Sequence, residues 1–119
     1  MLLIVALTVA NAQEPDEGCE GTTYDVSVCL AQKYKRVDSE LNAAYQRALK
    51  SAKGYDDKDI QNLKDAERKW IGYRDAACKA EYNLWGRGSG GPNAHTICLI
   101  RLARERATHL KDAYYHFSN

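Results

Sequence analysis

The sequence predicts an all-α protein: a long antiparallel helical hairpin plus a third packing helix, stapled by two disulfides. Three observations carry that reading. Apolar side chains recur at steps of three and four residues through three long stretches, the period of an amphipathic helix. Only Gly54-Tyr55-Asp56 parts the first two stretches, and a connection that short makes neighbouring helices run antiparallel. The four cysteines, Cys19, Cys29, Cys78 and Cys98, are an even set. With 119 residues there is room for one domain and one small core.

Residues 1–12 form an apolar run that closes in Ala10-Asn11-Ala12, and the polar Gln13-Glu14-Pro15-Asp16-Glu17 follows. This is the pattern of a secretory signal peptide cleaved after Ala12, although the usual Lys or Arg near its start is missing. Residues 13–119 are then the folded domain. The run is shorter than the roughly 20 apolar residues that cross a bilayer. Asp16-Glu17-Gly18 before Cys19 offers none of the small and aliphatic groups of a lipid-attachment site. The expected product is periplasmic or secreted, with no membrane insertion after signal cleavage. Such a compartment is oxidising, so its thiols pair.

Thr22-x-x-Asp25 resembles a capping box, and the stripe Leu30, Tyr34, Val37, Leu41, Tyr45, Ala48, Ala52 predicts a long first helix. Gly54 suits a left-handed residue just past its end. The second helix starts with Asp56 or Asp57 as N-cap and runs to about Trp85. Its apolar positions are Leu63, Ala66, Trp70, Tyr73 and Ala77, and Trp70, Arg74 and Cys78 follow at four-residue steps. Asp65 with Lys69 and Asp75 with Lys79 are acid-before-base pairs that each add roughly 0.2–0.5 kcal/mol to an exposed face.

A hairpin centred near Tyr55 sets a register in which facing residue numbers sum to about 110–112. Asp38 then lies near Arg74, Asn42 near Trp70, and Tyr45 near Glu67. The expectation is a partly buried interhelical ion pair between Asp38 and Arg74, with Asn42 completing its hydrogen bonds. That is a structural role, and it is preferred here to a ligand site.

Gly86-Arg87-Gly88-Ser89-Gly90-Gly91-Pro92 is a flexible loop carrying one cation. It follows a helix and lacks a Lys-Ser/Thr pair, which argues against nucleotide binding. Pro92 suits the first turn of a third helix with the stripe Leu99, Ala103, Ala107, Leu110, Tyr114, Phe117. Folded over the hairpin, this helix hides Trp70. Four cysteines allow three pairings. Cys19 with Cys29 and Cys78 with Cys98 is favoured, since each bridge tethers an irregular segment to a helix, and Cys29 with Cys78 is the alternative. Loops of these lengths contribute roughly 2–3 kcal/mol each on the chain-entropy model. A zinc site is disfavoured, since there is no close Cys-x-x-Cys pair and His95 near Cys98 is a weak substitute.

The net charge of +1 provides no long-range field for nucleic acid or an anionic membrane. Charge is nevertheless uneven. Glu14, Asp16, Glu17, Glu20 and Asp25 make the start acidic, while Arg87, Arg101, Arg104, Arg106 and Lys111 make the last third basic. An acidic arm lying near a basic helix accounts for both. His95, His109 and His116 have no nucleophile or carboxylate set by spacing and read as surface groups, and Asp56-Asp57 sits where capping explains it. The sequence contains no catalytic constellation and calls for no cofactor or metal.

Cys29, Asp38-x-x-Leu41-Asn42-x-x-Tyr45, Leu63-x-x-Ala66-x-x-x-Trp70-x-x-Tyr73-Arg74-Asp75-x-x-Cys78, the Gly/Ser-rich loop, and Cys98 with Arg106 and Leu110 together resemble the LprI-type lysozyme inhibitor family, the DUF1311 domain. The resemblance runs from Cys19 to about Leu110. Glu67 stands where that family often has Gln, Ala103 where it often has Thr, and the loop is rearranged. The resemblance implies a secreted helical protein that blocks lysozyme. On that reading Trp85 is an aromatic anchor, Arg87 or Ser89 on the loop inserts toward the paired carboxylates of the hydrolase, and the acidic arm meets a basic rim. Asp38, Asn42, Tyr45, Trp70, Tyr73, Arg74 and Asp75 are its structural motif. A non-enzymatic periplasmic interaction or envelope-stress module with another protein partner is the alternative.

Overall fold

The computed structural model describes residues 14–85 and 90–115. The predicted signal peptide, the loop residues Arg87 and Ser89, and His116 and Phe117 lie outside them. Three helices follow in order, α1 (Thr23–Lys53), α2 (Asp57–Trp85) and α3 (Gly91–Tyr114).

Helix α1 starts as its sequence predicts. Thr22 is the N-cap: its hydroxyl accepts from the Asp25 amide at 3.1 Å, and the Asp25 carboxylate accepts from the Thr22 amide at 3.0 Å. These reciprocal bonds satisfy two helix-end donors and hold the Asp25 carboxyl below its usual range. The chain enters the cap through Gly21 at φ 115°, and a Cβ there would sit 2.7 Å from the Asp25 carboxylate. Glycine is therefore required twice, by its dihedral and by the space. At the other end Gly54 caps α1 with φ −73°, so the left-handed geometry expected there is not used. Asp56 caps α2, accepting the Lys58 amide on its side chain at 2.9 Å.

The hairpin is antiparallel, and α3 runs parallel to α1. Asn93 of α3 donates to the Thr23 carbonyl at 3.4 Å near one end, and the Arg47 guanidinium covers the Tyr115 ring at 3.8 Å near the other. Packing is most extensive between α1 and α3, next between α2 and α3, and least between α1 and α2. Side-chain size explains the order. The α1–α3 seam carries Ala44, Ala48 and Ala52 on one helix and Ala103 and Ala107 on the other, so the axes approach closely. Leu30, Leu41, Leu63, Ile100 and Leu110 complete the core, and each fully buried leucine or isoleucine adds roughly 1.5–3 kcal/mol.

Both favoured disulfides are present. Cys19–Cys29 ties the N-terminal arm to α1, and Cys78–Cys98 ties α2 to α3 with both residues wholly buried. The arm is also held by Lys33, whose ammonium donates to the carbonyls of Pro15 and Glu17. Pro15 is buried, while Glu14, Asp16, Glu17 and Glu20 face solvent.

The cap and its entrance supply the first prediction. Thr22→Ala is expected to lower stability by about 0.5–2 kcal/mol. Gly21→Ala is expected to cost more, because strain at positive φ adds to loss of the same cap. Urea denaturation followed by circular dichroism measures both, and equal effects would contradict the second role given to Gly21.

Candidate functional site

Helix α2 presents a different inner line from the predicted one. Leu63, Glu67 and Cys78 are buried and Trp70, Arg74 and Ala77 half-buried, whereas the expected inner positions Ala66 and Tyr73 are exposed, Tyr73 by 62 %. The three groups at four-residue steps, Trp70, Arg74 and Cys78, do lie inside. Their line continues back to Glu67 and forward to Glu81, so the helix turns two carboxylates toward α3.

Arg106 of α3 meets the first. Its Nε and Nη2 both donate to Glu67 Oε2, at 3.0 and 2.9 Å, and both side chains are buried. Arginine has no acceptor, so the 3.2 Å contact of Nη1 with His109 Nδ1 requires Nδ1 to accept, placing the proton of the neutral ring on Nε2. Two guanidiniums approach the Trp70 ring, Arg74 Cζ at 5.5 Å and Arg106 Cζ at 5.9 Å from its centre, distances at which the ring face attracts a cation. Tyr45 of α1 closes this group: burial raises its phenol pKa, and the Glu67 carboxylate adds to the rise. The expected proximity of Tyr45 to Glu67 is thus present. The second carboxylate, Glu81, accepts from Arg101 Nη2 on both oxygens at 2.7 and 2.8 Å, one turn from the Cys78–Cys98 bridge.

The Asp38–Arg74 ion pair does not form. Arg74 directs Nε and Nη2 to Oδ1 of its own neighbour Asp75, at 3.0 and 2.9 Å. Asp75 is therefore engaged from the preceding residue, not from Lys79, while Lys69 pairs with Asp65 as expected at 3.0 Å. Asn42 is exposed and completes no interhelical network. The cause is the sparse α1–α2 contact: at that spacing a solvated local carboxylate serves the guanidinium better than a distant one. Asp38 and Arg74 still act at a distance on Tyr34. Burial raises the Tyr34 phenol pKa, Arg74 lowers it, and Asp38 and Asp75 raise it.

A separate surface lies at the open end of the hairpin, where α1 begins, α2 stops and α3 starts. Tyr24 and Val28 of α1 and Tyr82, Leu84 and Trp85 of α2 are all exposed there, Leu84 by 76 % and Trp85 by 62 %. His95 of α3 stands edge-on to Tyr82, 6.2 Å between ring centres. The exposed Glu17 and Glu20 belong to the arm, which the Cys19–Cys29 bridge and the Lys33 contacts to the Pro15 and Glu17 carbonyls hold back along α1. Exposed apolar side chains gathered at one end of a bundle form the kind of patch that marks an interaction surface.

A model of the family described as lysozyme inhibitor LprI matches residues 16–110. The chain belongs to the LprI family. The LprI match takes in both disulfides, the Glu67–Arg106 pair and the open end. Two relatives carry the names uncharacterized protein R02472, from Rhizobium meliloti (strain 1021), and uncharacterized protein YecT, from Escherichia coli (strain K12). The first is 35% identical over 125 residues, covering 93% of this chain and 88% of the relative. The second is 35% identical over 66 residues, covering 46% of this chain and 41% of the relative. No solved structure matches the chain.

Two expectations follow from the buried group. Glu67→Ala strands the Arg106 charge between helices and is expected to cost about 3–5 kcal/mol. Glu67→Gln, which retains an acceptor oxygen, is expected to cost clearly less, and equal urea midpoints for the two would contradict the pairing. The raised phenols mean that the fold prefers neutral Tyr34 and Tyr45. Their contribution is complete below the unfolded value near 10.0 and is lost as pH rises through the higher folded values. Stability should therefore fall less steeply above pH 10 in Tyr45→Phe than in the unaltered protein, as read by thermal melts across an alkaline series.

Proposed function

We propose that this chain binds and inhibits a lysozyme-type muramidase in the periplasm or outside the cell. The observation that carries this reading is the open end, where Trp85 and Leu84 stand in solvent immediately ahead of the Gly/Ser-rich loop. Membership in a family described as lysozyme inhibitors supports it, as do two disulfides suited to an oxidising compartment. No helix among the described residues is long and apolar enough to cross a membrane.

In this reading Trp85 is the aromatic anchor, and Arg87 and Ser89, the next polar side chains, engage the paired carboxylates of the hydrolase cleft. The acidic segment Glu14 to Glu20 favours a basic partner surface and raises the association rate more than the final affinity. The Cys78–Cys98 bridge, two turns before Trp85, holds the end of α2 on α3. The binding end is thus ordered in advance and loses less entropy on docking.

The oxidised protein is expected to suppress lysis of a bacterial cell-wall substrate by lysozyme. Trp85→Ala is expected to weaken that suppression by about 2 kcal/mol, roughly thirtyfold, while its melting temperature stays unchanged because the side chain is exposed. An absence of inhibition at micromolar excess of folded, oxidised protein would refute the proposal.

A further inference from the structure

The disulfide between α2 and α3 sits inside a group of side chains with a second capacity. One ligand atom each from Cys78, Cys98 and Glu81 lies within 4.8 Å of the others. Cys78 and Glu81 are one turn apart on α2. His95 and Cys98 are one turn apart on α3, and the His95 ring already leans on Tyr82 of α2. Two facing helices thus each contribute a pair of potential ligands at i and i+3, a spacing that puts both members on one side of their helix.

We propose that the dithiol form of this protein binds one zinc ion through Cys78, Cys98 and Glu81, with His95 turning in from its place against Tyr82 to take the fourth position. Two thiolates, one carboxylate and one imidazole form a tetrahedral set typical of this ion, with Zn–S distances of about 2.3 Å. The 5.4 Å between the two cysteine Cα atoms suits sulfurs that converge on a common atom. Both cysteines are wholly buried, so the ion is shielded from water on the sulfur side. Glu81 leaves Arg101 to bind, and the half-exposed Arg101 side chain turns to solvent without stranding a buried charge.

The chemistry balances without an added oxidant. A dithiol or phosphine reductant supplies two electrons and breaks the S–S bond, leaving two thiols and the oxidised reductant. Zinc then replaces the two thiol protons. Metal and disulfide are alternative occupants of the same sulfurs, so the site exists only before the bridge closes or after it is reduced. Every chain with this bridge is made as a dithiol. Zinc would hold α2 against α3 in that interval and protect both thiols from mispairing with Cys19 or Cys29.

The test uses the full mature chain reduced by a phosphine and titrated with zinc against a chromophoric chelator. One tightly bound zinc per reduced chain and none per oxidised chain is expected. Cobalt in place of zinc should give the charge-transfer and visible bands of a tetrahedral thiolate site. Cys78→Ser should abolish tight binding, Glu81→Gln and His95→Ala should each weaken it about tenfold or more, and Cys19→Ser with Cys29→Ser should leave it intact. Helical circular dichroism read in the same samples separates a folded site from cysteines caught in a loose chain. The proposal is overturned if oxidised and reduced chains bind zinc alike. It also fails if binding survives Cys78→Ser, is lost with Cys19 and Cys29, or is indifferent to both Glu81→Gln and His95→Ala.

Discussion

The Arg106 guanidinium is buried between helices and has the Glu67 carboxylate as its ionic partner, and the rest of the body has to satisfy that pair. A charge taken out of water at this position is tolerable only if the opposite charge arrives in a fixed geometry, so α2 and α3 must meet in one register. The covalent Cys78–Cys98 bridge imposes the same register eleven residues further along α2. Glu81 and Arg101 repeat the acid-to-guanidinium contact beyond it, nearer the surface. The interface of α2 with α3 is therefore specified by polar and covalent contacts. That of α1 with α3 is an apolar seam of alanines and branched side chains.

This division of labour explains the limited contact of α1 with α2. Small residues bring α1 against α3, while α2 carries Glu67, Trp70 and Arg74 on its inner line and needs more room. The space left along the α1–α2 side is occupied by half-buried aromatic and charged groups, namely Tyr34, Tyr45, Trp70 and Arg74, with two guanidiniums near the Trp70 ring. Residues that the family resemblance marks as a structural motif thus line a partly exposed side of the bundle, and Asn42, Tyr73 and Asp75 face water.

The same constraint shapes the open end. Anchoring α2 to α3 at Cys78 leaves the last two turns of α2 supported from one side, and Tyr82, Leu84 and Trp85 emerge there into solvent. The arm is fixed along α1 through Cys19–Cys29 and Lys33.

The sequence by itself determined three helices, the limits of the first two and the start of the third, the Thr22–Asp25 cap, the antiparallel hairpin and the disulfide pairing preferred among three, because each depends on short-range spacing or on a small set of choices. It also carried a signal for the buried ion pair that composition obscures: Glu67 falls at helical spacing between Leu63 and Trp70, and Arg106 between Ala103 and Leu110. Only the tertiary structure decided that these two charges face each other, that Arg74 turns to Asp75 and not to Asp38, and that Tyr73 and Ala66 face outward. Periodicity defines a face to within about one residue in the turn. Which edge of that face is covered depends on the third helix, and on how closely alanines on α1 and α3 let two backbones approach.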